Sequence, residues 1–191
     1  GIEPMSAFAD GIDNSIRMLE LLRTMEDEVH AAAQSVSASV GMKGRVFVCG
    51  SSLSASPANL LADELNRKFY PVTGEVAAMS LCSDIKLISA VCLTSPDDVF
   101  ASQLRARASE NDLLFAMAFM DGGQNAILNA VRTAHAMHMG VILATPFDDE
   151  GDAILGETNE DDVVLPLPAD SRRELIEVYY HIVLEIAGEI S

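Results

Sequence analysis

Basic residues are scarce in this chain. Lys and Arg together number 12 against 29 Asp and Glu, which leaves a formal charge of −17. A surface this acidic repels a phosphodiester backbone, so direct nucleic-acid binding is not expected as the function. An anionic small molecule then needs a local, shielded site, which helix N-termini supply without any basic side chain. Cysteine is sparse as well. Cys49, Cys82 and Cys92 are odd in number, form no C-x-x-C pair and lie in apolar stretches. Neither a disulfide framework nor a zinc cluster is therefore expected, and the thiols read as buried small hydrophobes. No apolar run reaches the ~18 residues of a membrane-spanning helix. The start GIEPMSAFAD lacks the basic-then-apolar order of a secretory signal. The expectation is a cytoplasmic chain without membrane contact.

What is present describes one ordinary globular core, with 49% hydrophobic and 21% charged residues in a length of 191. Ile12, Ile16, Leu19, Leu22, Met25, Val29, Ala33, Val36 and Val40 recur at helical spacing with acidic residues between them. They predict one long helix from near Met5 to Val40, with a kink allowed, ended by Gly41 and Gly44. Strand and helix patterns then alternate. Strands are predicted over Arg45–Cys49, Glu75–Met79, Leu113–Phe119, Val141–Ala144 and Val163–Leu167. Helices are predicted over Pro57–Phe69, Asp84–Cys92, Asp97–Ala108, Gln124–Met139 and Arg172–Ile190. Short apolar strands separated by helices argue for a parallel sheet covered on both faces. Ligands of such sheets bind beyond the carboxyl ends of the strands, which brings forward the turns at residues 50–56 and 120–124.

The first of these turns lies within VFVCGSSLSASPANLLADEL, residues 46–65. Ser56 suits an N-cap and Pro57 the first helical position. Ser51, Ser52, Ser54 and the free backbone amides are candidate anion ligands. In the second turn, Met120-Asp121-Gly122-Gly123-Gln124, Asp121 can cap the following helix and the glycines permit positive φ. Asp121, Gly122 and Gln124 are the ligand candidates there.

This order of segments resembles the sugar isomerase (SIS) domain, in the branch of the phosphoheptose isomerases and the DnaA initiator-associating proteins. The family's first turn reads CGNGGSAADAQHFAAEL, and CGSSLSASPANLLADEL (49–65) is similar to it without a gap. FMDGGQNA (119–126) falls where the family has roughly STSGNSPN. DDVFASQ (97–103) is similar to EEVFSRQ, and RELIEVYYHIVLEIAGEI (173–190) to the family's last helix. The resemblance implies a flavodoxin-like three-layer α/β sandwich with a five-stranded parallel sheet and a long N-terminal helix. It implies a single SIS domain over 1–191, with 1–44 as a helical segment and 45–191 as the α/β core. It also implies a homo-oligomer, a tetramer, with the N-terminal helices in the interface.

Site residues carry over in part. By resemblance Ser54 is the phosphate-contacting serine, Ser51 stands for an asparagine, Leu53 replaces a glycine, and Glu64 matches the family's catalytic base. The family's metal-ligating histidine is Leu60 here, its last-helix glutamine Ile176 and its catalytic histidine Leu184. An Asn-Asp pair is replaced by Leu93-Thr94. Leucine neither moves a proton nor binds zinc, so no metal and no cofactor is expected. A placed acid or base is worth ~10²–10⁴ in rate. Ordinary phosphoheptose isomerase activity is therefore not expected.

The remaining polar features have structural readings. His181 is spaced to pair with Glu177, His135 and His138 read as packing, and His30 belongs to the acidic first helix. The runs DDEGD (148–152) and ETNEDD (157–162) do not match a calcium loop and read as solvated. Met79, Met117, Met137 and Met139 read as core filling. Three functions stay open: binding of a phosphosugar or other carbohydrate derivative with isomerase catalysis lost or altered, assembly with a protein partner, and active isomerisation of sedoheptulose 7-phosphate.

Overall fold

The computed structural model describes residues 6–147 and 153–190, so the run at 148–152 lies outside the described residues. The predicted N-terminal helix is α1, Ala7–Leu22, then a 3₁₀ turn over Arg23–Met25, then α2, Glu26–Gly41. The break falls where the Thr24 hydroxyl bonds back to the Leu21 carbonyl at 2.8 Å, a contact that bends helices. Glu26, Asp27 and Glu28 then occupy the first turn of α2, where carboxylates oppose the dipole favourably.

Five parallel strands follow in the order β2-β1-β3-β4-β5. They are β1 Val46–Gly50, β2 Ala78–Ser80, β3 Leu113–Met117, β4 Gly140–Pro146 and β5 Val163–Leu167. Between and after them lie α3 Ala55–Thr73, α4 Ile85–Cys92, α5 Ala101–Arg107, α6 Gln124–Ala136 and α7 Arg172–Glu189. Alternate strand residues feed two cores. Val46, Val48, Phe115, Met117, Ile142, Ala144, Leu165 and Leu167 pack with α1, α2, α3 and α7 on one face. Phe47, Cys49, Leu114, Ala116, Val141 and Leu143 pack with residues of α5 and α6 on the other. This is the expected flavodoxin-like three-layer sandwich.

Several boundaries move for local reasons. β2 is shorter than predicted because Asn66 of α3 takes over its outer edge. The Asn66 amide nitrogen donates to the Ala78 carbonyl, and its oxygen accepts from the Ala77 and Ala78 amides, each at 2.9 Å. The start of the edge strand is thereby satisfied by a side chain. The helix predicted from Asp97 begins as a 3₁₀ turn, Pro96–Asp98, before α5. α6 stops at Ala136, with His138 left-handed at φ 58°. No helix among the described residues is long and apolar enough to cross a membrane.

Candidate functional site

The strand order reverses between β1 and β3, because β2 lies on one side of β1 and β4 on the far side of β3. Both turns emerge there, at the carboxyl ends of these two strands. The helices they feed, α3 and α6, begin at the same edge, although in α3 the Ala55 amide already bonds the Ser52 carbonyl and Pro57 carries no N–H.

The first turn is folded back onto the end of β3. The Ser51 amide donates to the Met117 carbonyl at 3.1 Å, and the Ser51 hydroxyl accepts from the Phe119 amide at 3.0 Å. Ser54 is completely buried, and its hydroxyl donates into the pair of carbonyls of Ser51 and Met117, at 2.6 and 2.9 Å. That hydroxyl therefore forms the floor of the turn. Ser52 and Leu53 are the exposed residues, and Ser52 sits in the left-handed region at φ 50°. The helix begins at Ala55 with Ser54 as its N-cap residue, so Ser56 lies inside α3 and is not the predicted cap. Beneath the turn, the Cys82 sulfur lies 3.4 Å from both the amide and the carbonyl of Gly50. Burial pushes the Cys82 thiol up, partly offset by the Gly50 and Ser80 hydrogen bonds. Burial, and secondarily Cys82, pushes Cys49 well above the usual thiol range. These two groups stay protonated and unreactive near neutral pH.

The second turn is exposed over Asp121, Gly122 and Gly123. Gly122 and Gly123 have φ of 113° and 79°. A Cβ on Gly123 would stand 2.7 Å from the Ser51 Cβ, so the two turns touch at that point. Gln124 donates its side-chain amide to the Phe119 carbonyl. Gly123 is the N-cap of α6 and no side chain caps it. Asp121 is not the predicted cap but pairs with Arg172 of α7, Oδ2 to Nη1 at 3.0 Å. α7 is fixed there by fully buried Tyr179, whose hydroxyl bonds the Ala118 carbonyl and, at 2.9 Å, that of Ala144.

Glu64 is half-buried and lies 4.0 Å from Arg67, one turn along the same helix. It is nine residues past Ala55, or about 14 Å along the axis at the α-helical rise. Leu60 and Ile176 pack against the core, whereas Leu184 is 49% exposed. His181 pairs with Glu185 at 3.5 Å rather than with Glu177. Glu177 instead accepts from Ser15 at 2.5 Å and Arg173 at 3.1 Å. The run at 157–162 is anchored, not simply solvated: Asp162 meets His135 at 2.8 Å and Glu157 meets Arg132 at 2.6 Å. Arg132 accordingly holds the Glu157 carboxyl below its ordinary range. No group of three or more His, Cys, Asp or Glu side chains is placed to share a metal among the described residues.

The SIS domain model matches residues 11–145. The chain belongs to the SIS domain family. A phosphoheptose isomerase from Laribacter hongkongensis is 28% identical over 163 residues, covering 85% of this chain and 82% of that one. The solved phosphoheptose isomerase of Neisseria gonorrhoeae superimposes with a TM-score of 0.86 at 24% identity, over 96% of each chain. That of Francisella tularensis does so with 0.84 at 26% identity, over 97% of this chain and 98% of that one. The chain is thus a phosphoheptose isomerase-like SIS protein. Within its SIS fold, sequence reasoning missed Arg172 and Cys82. Their partners, Asp121 and Gly50, are 51 and 32 positions away, and no local spacing marks either contact.

Proposed function

We infer that this SIS protein binds a phosphosugar at the sheet edge where its two turns meet, with the isomerase chemistry of its relatives lost or altered. The observation that carries the reading is the joining of both turns at the strand reversal, in a chain similar to phosphoheptose isomerases over nearly its whole length. Exposed Ser52, Gly122 and the amides opening α6 face the ligand, while Ser51, Ser54 and Gln124 hold the backbone of the two turns in place. Enediol isomerisation needs one group to take the C2 proton and another to move protons between oxygens. Glu64 is the candidate for the first role, and it serves only a ligand that spans the length from the turn. The leucines at 60 and 184 supply nothing for the second.

An active isomerase is the second reading, favoured by the relatives' activity and by half-buried Glu64. Calorimetry with sedoheptulose 7-phosphate, together with an NMR assay of its conversion, separates the two. Binding without turnover is the expected result. Turnover that Glu64→Gln abolishes establishes the second reading, and no binding at millimolar ligand overturns both.

The reading includes a homo-oligomer. Phe8 is 78% exposed, and Ile12, Ile16 and Leu19 of α1 are exposed beside Tyr180 and Leu184 of α7. Exposed apolar residues gathered on two packed helices are normally covered, and a second copy covers them here. Light scattering that finds only monomer at micromolar concentration overturns this part alone.

A further inference from the structure

Resting on the phosphosugar reading, we propose that Arg172 is the cation of the site at the two turns and takes the ligand's phosphate in exchange for Asp121. Neither turn carries a basic residue of its own: residues 50–56 read GSSLSAS and 119–124 read FMDGGQ. Asp121–Arg172 is the one ion pair that involves either turn among the described residues. Without it, the Asp121 carboxylate would oppose any anion arriving at the start of α6.

The pair is built to be exchanged. Its contact is Nη1 to Oδ2 at 3.0 Å, and the Arg172 side chain remains 60% exposed and open to a second partner. A guanidinium presents five N–H donors in a planar fork, so phosphate can be gripped by two of them at once. Exposed carboxylate pairs hold weakly by comparison. The neighbouring arginine is equally exposed but engaged away from the turns. Arg173 bonds Glu177 at 3.1 Å, and its guanidinium fills the space over Gly11, 2.8 Å from where a Cβ would stand. The buried Tyr179 and the Ser171 cap, which accepts from the Glu174 amide at 3.2 Å, hold the start of α7 beside the second turn. Asp121 thus keeps Arg172 in place until a dianionic phosphate displaces it. An unphosphorylated sugar cannot make that exchange.

The test is calorimetry on the full chain with sedoheptulose 7-phosphate, inorganic phosphate and unphosphorylated sedoheptulose as probes. Arg172→Gln weakens both phosphate-bearing probes about tenfold, as expected for loss of a charge-assisted contact. Arg172→Lys recovers part of that loss, since lysine restores the charge without the fork. Asp121→Asn tightens the same probes about threefold by removing the competitor. Arg173→Gln changes none of them. Wild-type binding that Arg172→Gln leaves intact overturns the assignment of Arg172 alone. A wild type that binds neither phosphate-bearing probe overturns both this proposal and the reading beneath it.

Discussion

The two turns share one edge of one sheet and are held by opposite means. The turn after β1 is closed on itself: its Ser54 hydroxyl is buried between carbonyls and its start rests on the Cys82 sulfur. The turn after β3 is open, shaped by glycines at positive φ and neutralised by an arginine from the last helix. The first is therefore rigid because of packing, and the second gets its shape from backbone conformation and charge. Hydroxyls alone do not mark a ligand contact. In the closed turn the Ser51 and Ser54 hydroxyls are spent on the fold, whereas in the open turn the exposed groups are backbone and the Asp121 carboxylate.

That contrast can be tested by substitution, most severely at Gly50. A Cβ there would stand 2.4 Å from the Ser54 carbonyl oxygen. Gly50→Ala is expected to cost about 3 kcal/mol in urea unfolding, because backbone and not a movable side chain must yield. Gly122 has open space around it but a φ of 113°. Gly122→Ala should cost about 2 kcal/mol from conformation alone. Equal losses at the two glycines would erase the distinction between a packed turn and a merely bent one.

The serines sharpen it further. Ser54→Ala removes a buried hydroxyl whose neighbour, the Met117 carbonyl, still accepts from Ser51. A loss of about 1 kcal/mol is expected in the same unfolding measurement. A larger loss in phosphosugar affinity than in stability would move Ser54 from the floor of the turn to the ligand. Ser52 carries a side chain at φ 50°. Ser52→Gly should raise stability by about 0.5 kcal/mol, the relief of the left-handed conformation less the added freedom of the unfolded glycine. A destabilised Ser52→Gly would show that the Ser52 side chain makes a contact worth more than its strain.

Much of the fold was legible because periodicity reports which face is buried. β5 was predicted to the residue, and the last helix within one. The break after Leu22 was not, since it depends on the Thr24 hydroxyl bonding backward within an otherwise unbroken apolar stripe. The shortening of β2 was not, because Asn66 reaches it from another element. In the site, turn positions were readable from glycine, serine and strand ends, but side-chain directions were not. Ser54 faces a carbonyl 63 positions on, and His181 pairs with Glu185 although Glu177 offered the same spacing.

The sequence by itself determined the order of elements, the two-faced parallel sheet and the place where its turns meet. It could do so because hydrophobic spacing and turn residues act over a few neighbouring positions. Only the tertiary structure decided which serines are buried and that Asp121 faces Arg172. Those outcomes depend on groups distant in the chain competing for the same carbonyls, amides and charges. That competition is settled when the helices pack on the sheet.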